Sequence, residues 1–194
     1  LDDGATPNFN ILPKTNQGTT GWTWSMQAGD YSKTVVTENG VNCCKLTRGS
    51  TAQSGWSVIE YSPINRSKFK TSTKYTLSVE VKSTVASSTN VRLLRGNAQD
   101  GMCDQVWLGN TVANTWTKLS TTFTTYSTFP ASTGQLVYFT GFASGTGVTH
   151  IFRNLKIEEG VRATTWLPTV DEMKGTGVSS ITNYYLVSTS NSGV

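Results

Sequence analysis

"KYTLSVEVKS", residues 74–83, decides the fold class. Tyr75, Leu77, Val79 and Val81 fall on one parity, and Thr76, Ser78, Glu80 and Lys82 on the other. That period of two predicts a strand with one buried face. Shorter segments of the same character lie on both sides. "TVVT" (34–37), "CCKLTR" (43–48) and "SVIEYS" (57–62) precede it. "NVRLLR" (90–95), "QVWLG" (105–109), "TWTKLSTTFTT" (115–125), "QLVYFTGFA" (135–143) and "VTHIFRNLKIEE" (148–159) follow. Turn signals separate them: "ENG" at 38–40, "TGQ" at 133–135 and "SGTG" at 144–147. Apolar spacing of helical period is almost absent. Many short strands with regular turns predict an all-β protein, here a jelly-roll β-sandwich of two antiparallel sheets.

The composition fits such a fold and excludes others. The chain has 194 residues, 36% hydrophobic and 14% charged, with a formal net charge of +4. Ser and Thr fill much of the polar surface, and Thr favours strands. Lys and Arg are scattered without a basic run, which argues against nucleic acid as a partner. No stretch of apolar residues is long enough to span a membrane as a helix. The start, "LDDGATPNFNILP", lacks the basic and apolar regions of a signal peptide and reads as an internal cut or a processed end. Cys43, Cys44 and Cys103 show no framework spacing and are expected as reduced, semi-buried thiols, since adjacent cysteines pair poorly. One histidine is too few for a zinc site built on imidazoles.

Around residue 170 the character changes. "VDEMKGTGVSS" reads as a linker, and "ITNYYLVSTSNSGV" as a strand beyond it. The expected organisation is therefore an N-terminal extension or linker at 1–7, one domain at 8–170, and at 171–194 a linker with the start of a following element or a docking extension.

Four segments taken in order carry a resemblance: an early Asn-containing stretch with Gly21-Trp22, "KYTLSVEVKS", "TWTKLSTTFTT", and "HIFRNLKIEEGVRATTWLP". Together they resemble carbohydrate-binding modules with a galactose-binding-like β-jelly roll, of the type attached to glycanases. The closing strand, Glu158-Glu159-Gly160 and Ala163-Thr164-x-Trp166-x-Pro168 look most like modules in tail and baseplate proteins of phages that infect Gram-positive bacteria. The resemblance spans roughly residues 8 to 170. It implies saccharide binding on a virion, with host cell-surface polysaccharide and other tail or baseplate proteins as partners. The alternatives are a structural assembly domain without sugar binding and a secreted accessory module of a bacterial glycanase. It also implies structural roles for Trp22, Tyr75, Leu77, Trp116, Leu155, Ile157 and Trp166. Finally, it implies a structural calcium near the termini, held partly by residue 154. Relatives often carry Asp there; Asn154 supplies only a neutral oxygen, which weakens a hard-cation site.

Sugars present flat CH faces to aromatic rings and hydroxyls to polar neighbours. The large rings left without a structural role are Trp24, Trp56, Trp107 and Tyr138. Trp22 and Trp24 share a parity, so they are either two core plugs or one plug and one platform; Trp24, nearer the strand end, is the expected platform. Trp56 sits at a turn before a strand. Trp107 alternates with Gln105, while Val106 and Leu108 take the opposite face. Arg92, and with it Arg95, offers guanidinium donors to hydroxyls or to a phosphate of a cell-wall polysaccharide. The expected saccharide site is therefore Trp24, Trp56, Arg92, Arg95, Gln105, Trp107 and Tyr138. Catalysis is not expected. Asp100, Asp104, Glu60 and Glu80 show no marked pair of the kind a glycosidase needs, and His150 lacks a nucleophile motif.

Overall fold

The computed structural model describes residues 8–26, 30–51, 57–95, 101–129 and 135–175. Among these described residues, ten strands run in chain order: β1 (Trp22–Met26), β2 (Tyr31–Glu38), β3 (Val41–Arg48), β4 (Ser57–Ile64), β5 (Lys74–Ser83), β6 (Ser87–Arg95), β7 (Val106–Thr111), β8 (Trp116–Thr124), β9 (Gln135–Thr140) and β10 (Thr149–Glu159). They form two five-stranded sheets with wholly antiparallel pairing. Sheet one has the order β2-β3-β10-β5-β8, and sheet two β1-β4-β9-β6-β7. This is the expected sandwich, and β5 spans the predicted residues.

Local chemistry sets the pairings. Asn39 and Gly40 both have positive φ, 53° and 75°. Two such residues make the tight turn whose twist matches antiparallel strands, and Glu38 stands opposite Val41 across it. In β5, Tyr75, Leu77, Val79 and Val81 are all buried in the core, as the alternation requires. Aromatic rings bridge the two layers. The Trp22 ring of β1 stacks on Phe152 of β10 with centroids 4.5 Å apart, and on Phe139 of β9 at 6.0 Å. Cys43, Cys44 and Cys103 are free and buried. Burial pushes the Cys44 thiol up to about 12 and Cys103 to about 11, so both pack as small apolar groups.

Part of the outer face of sheet one is covered by the chain itself. Lys156 and Glu158 point outward from β10, yet both are buried. Their side chains pair at 3.1 Å. Lys156 Nζ donates to Thr164 Oγ1 at 2.7 Å and to the Thr165 carbonyl at 2.8 Å. Glu158 accepts from the Thr164 backbone N–H and hydroxyl at 2.8 and 2.6 Å. The segment after β10 is thus strapped across the sheet, and Trp166 Nε1 donates to Thr15 Oγ1 at 3.0 Å to fasten it to the N-terminal loop. Further along the same face, Arg153 stacks over Trp116 at 4.0 Å and pairs with Glu80 at 2.8 Å. Trp116 Nε1 donates to Glu38 at 2.7 Å. The implied structural roles of Trp116 and Trp166 match these contacts.

The stretch from 170 is not linker at its start. Residues Val170–Gly175 form a short helix, α1. Thr169 and Glu172 cap it reciprocally: Thr169 N–H donates to Glu172 Oε2 at 3.0 Å, and Glu172 N–H to Thr169 Oγ1 at 3.2 Å. Six residues are too few to show helical periodicity, but Thr-x-x-Glu at 169–172 was the available signal. The strand expected beyond it lies outside the described residues.

His150 is buried between the layers. Its Nε2 faces the Ala143 carbonyl at 2.8 Å, so that nitrogen carries the proton, and Nδ1 accepts from the Ser83 hydroxyl at 2.7 Å. Burial lowers its pKa from 6.5 to about 4. The unfolded chain therefore binds the proton more readily. The contribution of His150 to stability is fully present above about pH 6.5 and is lost as pH falls towards 4. Between about pH 7.5 and about pH 5, urea unfolding should lose about 2 kcal/mol. His150→Gln should flatten that slope whatever its absolute stability; a slope equal in both proteins would refute the neutral, buried imidazole.

Candidate saccharide site

Sheet two turns one face to the core, and its other face carries half-buried and exposed residues. Register sorts its residues. Trp24 stands opposite Ile59, Ile59 opposite Phe139, Phe139 opposite Val91, and Val91 opposite Val106. Directly opposed residues share a face, so this row crosses all five strands on the core side. The adjacent row must then face outward: Thr23 opposite Glu60, Glu60 opposite Tyr138, Tyr138 opposite Arg92. A second outward row runs Thr140, Asn90, Trp107. Five strands at their usual spacing make this face roughly 19 Å wide from β1 to β7.

The structure brings together Arg92, Trp107 and Tyr138 of the expected residues, with exposed Gln105 beside Trp107. Trp107 is 61% exposed, a large aromatic left in solvent. Val106 packs against the core and Leu108 is buried in it, as the alternation predicted.

Trp24 is corrected. It is 1% exposed, its Nε1 donates to Ser57 Oγ at 2.6 Å, and its ring meets His150 edge-on at 5.2 Å. Trp22 and Trp24 are both core plugs. The reason is register: Trp24 lies opposite Ile59 in the core row, and period two alone could not separate one plug from two. Trp56 lies outside the described residues. Arg95 ends β6 opposite Gln135, and its side chain is likewise outside them.

Glu60, Asn90 and Thr23 were not among the expected site residues. Asn90 shares its parity with Arg92 in "NVRLLR", a usable signal. Glu60 needed the β4–β9 register, which no local pattern carries. Burial pushes the Glu60 carboxyl up, opposed by a hydrogen bond with Ser25. Burial also raises Tyr138, the Glu60 charge adds to the rise, and Arg92 counters it. Beside them, Gly101 gives Arg92 its space: a Cβ there would fall 2.9 Å from Arg92 Nε. Asp104 accepts from the Tyr126 hydroxyl at 2.5 Å.

The groups described on this face can recognise hydroxyls: two rings, a guanidinium, amides and one carboxylate. The five strands of sheet two carry a single carboxylate, Glu60. Glu80 projects from the opposite side of the sandwich, where Arg153 and Asn154 hold it. Two carboxyls flanking one glycosidic bond, the usual hydrolytic arrangement, are not formed by these two.

The donor set at Asn154 does not suit a hard cation. Its Oδ1 accepts from Asn16 Nδ2 at 2.7 Å, its backbone N–H donates to Asn16 Oδ1 at 2.7 Å, and its amide donates to Glu80 at 2.9 Å. This reciprocal Asn pair joins the N-terminal loop to β10 directly. Among the described residues no group of three or more His, Cys, Asp or Glu side chains converges on a cation position.

A family model described as a carbohydrate binding domain matches residues 7–145. Similar solved structures include the N-terminal modules of a Clostridium thermocellum endo-1,4-beta-D-xylanase complexed with xylohexaose. The two share 18% identity at a TM-score of 0.54, covering 79% of this chain and 29% of that one. A xylan-binding domain from Paenibacillus barcinonensis shares 16% identity at a TM-score of 0.54, covering 83% and 100%. Tailspike protein 4 of bacteriophage CBA120 shares 14% identity at a TM-score of 0.55, covering 78% and 22%. The chain thus spans under a third of the xylanase and tailspike chains. At these identities the likeness shows the fold. No curated protein matches the chain.

The two tryptophans should part company under mutation. Trp24→Ala should cost about 3–5 kcal/mol in urea unfolding, the usual cost of deleting a buried aromatic. Trp107→Ala should change stability by no more than about 0.5 kcal/mol.

Proposed function

Since the chain belongs to the carbohydrate-binding-domain family, we propose that it holds a polysaccharide on the outer face of sheet two. One observation carries the reading: Trp107 stands exposed on β7 opposite Asn90, next to the row Glu60, Tyr138, Arg92. The Trp107 ring stacks on a sugar face. Asn90 and Gln105 bond hydroxyls beside it. Tyr138 supplies a second, recessed ring, with Arg92 donating and Glu60 accepting on either side. Such a site binds each chain segment weakly, and multiple copies raise the total strength.

We further propose that the module belongs to a phage tail or baseplate protein and attaches it to cell-wall polysaccharide of a Gram-positive host. The support is the closing motif through Trp166 and Pro168, with the fold's occurrence in a phage tailspike. The fold's occurrence in a xylanase supports an accessory module of a secreted glycanase equally well. Non-catalytic binding is common to both settings.

The test is adsorption and tryptophan-fluorescence titration with purified Gram-positive cell-wall polysaccharides, and with xylan for the glycanase setting. Saturable binding is expected, weakened about tenfold or more by Trp107→Ala with the fold intact. No response to any of these polysaccharides, and no adsorption to intact cells, would sink the saccharide reading and leave assembly as the role. Saturation by xylan alone would move the module to the glycanase.

A further inference from the structure

Trp107 faces solvent only because the β6–β7 ladder slips. From Ser87 to Thr89 the two strands pair residue for residue, Ser87 with Thr111, Ser88 with Asn110 and Thr89 with Gly109. The next pair is Asn90 with Trp107, so β7 advances two residues while β6 advances one. Leu108 is the extra residue of a β-bulge. Thr89 and Thr111, before the slip, are buried. An unbroken ladder would place Trp107 opposite Val91, in the core row, and Leu108 opposite Asn90, on the open face. The bulge inverts that parity. Leu108 goes in at 2% exposure and Trp107 comes out at 61%.

We propose that this bulge, pinned by Thr89 and Gly109, is the positioning device that presents Trp107 to a ligand. Two features hold it. The buried Thr89 hydroxyl donates to the Gly109 carbonyl at 2.7 Å. Gly109 adopts φ of 143°, a region that side chains disfavour, and a Cβ there would meet Leu119 Cδ2 at 3.0 Å. Neither residue touches the open face; both act through Trp107. A bulge placed only to blunt the β7 edge could sit anywhere along it. This one sits between the last core threonine and the exposed ring. Its consequence for ligand binding rests on the saccharide-binding reading, but its effect on the ring does not.

The experiment labels the protein with 5-fluorotryptophan and follows the Trp107 fluorine resonance, identified by its loss in Trp107→Phe. Its accessibility is read with a soluble paramagnetic agent. Thr89→Val and Gly109→Val should shift that resonance and lower its accessibility, while Thr89→Ser restores both. Adsorption to purified Gram-positive cell-wall polysaccharide should fall about tenfold in Thr89→Val. In a Trp107→Ala background the same change should bring no further loss. If Gly109→Val fails to fold, Thr89→Val and its Ser rescue decide. Folded variants whose Trp107 resonance is as accessible as in the unaltered protein would overturn the proposal. If the unaltered protein binds no polysaccharide, the saccharide reading fails by itself, and the fluorine measurement still decides whether the bulge sets the ring.

Discussion

The open face of sheet two depends on the row of side chains beneath it. Trp24, Ile59, Phe139, Val91 and Val106 stand in register across five strands and fill the core side. In a strand the neighbours of a buried residue must face the other way. So once this row is packed, Thr23, Glu60, Tyr138 and Arg92 have no choice but to face away from the core together. A slip of one residue along the whole β4–β9 or β9–β6 pairing would drive Glu60 or Arg92 against apolar side chains, at the cost of burying a charge among them. The core therefore both stabilises the sandwich and aligns its polar face. This explains why Trp24, the more polar-flanked of two tryptophans, had to be a plug.

Which face stays open is settled on the other side of the molecule. Sheet one would offer a polar outer surface of its own, with Glu80, Lys82, Arg153 and Trp116 on it. The strap after β10 covers part of that surface, and its hold comes from the buried Lys156–Glu158 pair. Desolvation lowers the Lys156 pKa, and the adjacent Glu158 opposes that fall. Removing one partner would strand the other charge, a loss on the order of 3–5 kcal/mol. The rest of the face spends its aromatic on itself, because Arg153 occupies the Trp116 ring. The guanidinium covers one face of that ring. The sequence motif Ala163-Thr164-x-Trp166-x-Pro168 thus acts as a clasp: Thr164, the Thr165 carbonyl and Trp166 supply its hydrogen bonds.

The fold was legible in the sequence because its signals are local. Alternation in 74–83 needed no partner strand to be read, and Asn39-Gly40 announced its own hairpin. The site was legible where one strand contained the argument. Trp107, flanked by Val106 and Leu108, showed its outward face within three residues, and Arg92 did so between Val91 and Leu93. Glu60 and Trp24 were not legible, since their places depend on which strands lie side by side. The Trp107 reading also succeeded for an incomplete reason. Simple alternation from 106 to 108 gives the right face, yet Gly109 and Thr111 follow the opposite parity, and only the bulge reconciles the two halves of β7. Helix α1 was missed because its evidence is a cap rather than a period.

The charges on the open face bear on what it can select. Glu60 and Arg92 stand two strands apart with Tyr138 between them, roughly 10 Å from one backbone to the other. A polyanion laid across this row would meet Arg92 favourably and Glu60 unfavourably, so the two charges nearly cancel as a filter. A neutral chain of hydroxyls gains from both ends, accepting from Arg92 and donating to Glu60. Burial of Glu60 sharpens that preference: a carboxylate held above its ordinary pKa by desolvation is improved by any donor that reaches it. Under the proposed reading, discrimination among saccharides on this face comes from where hydroxyls fall relative to Trp107 and Tyr138, and the two opposed charges contribute little.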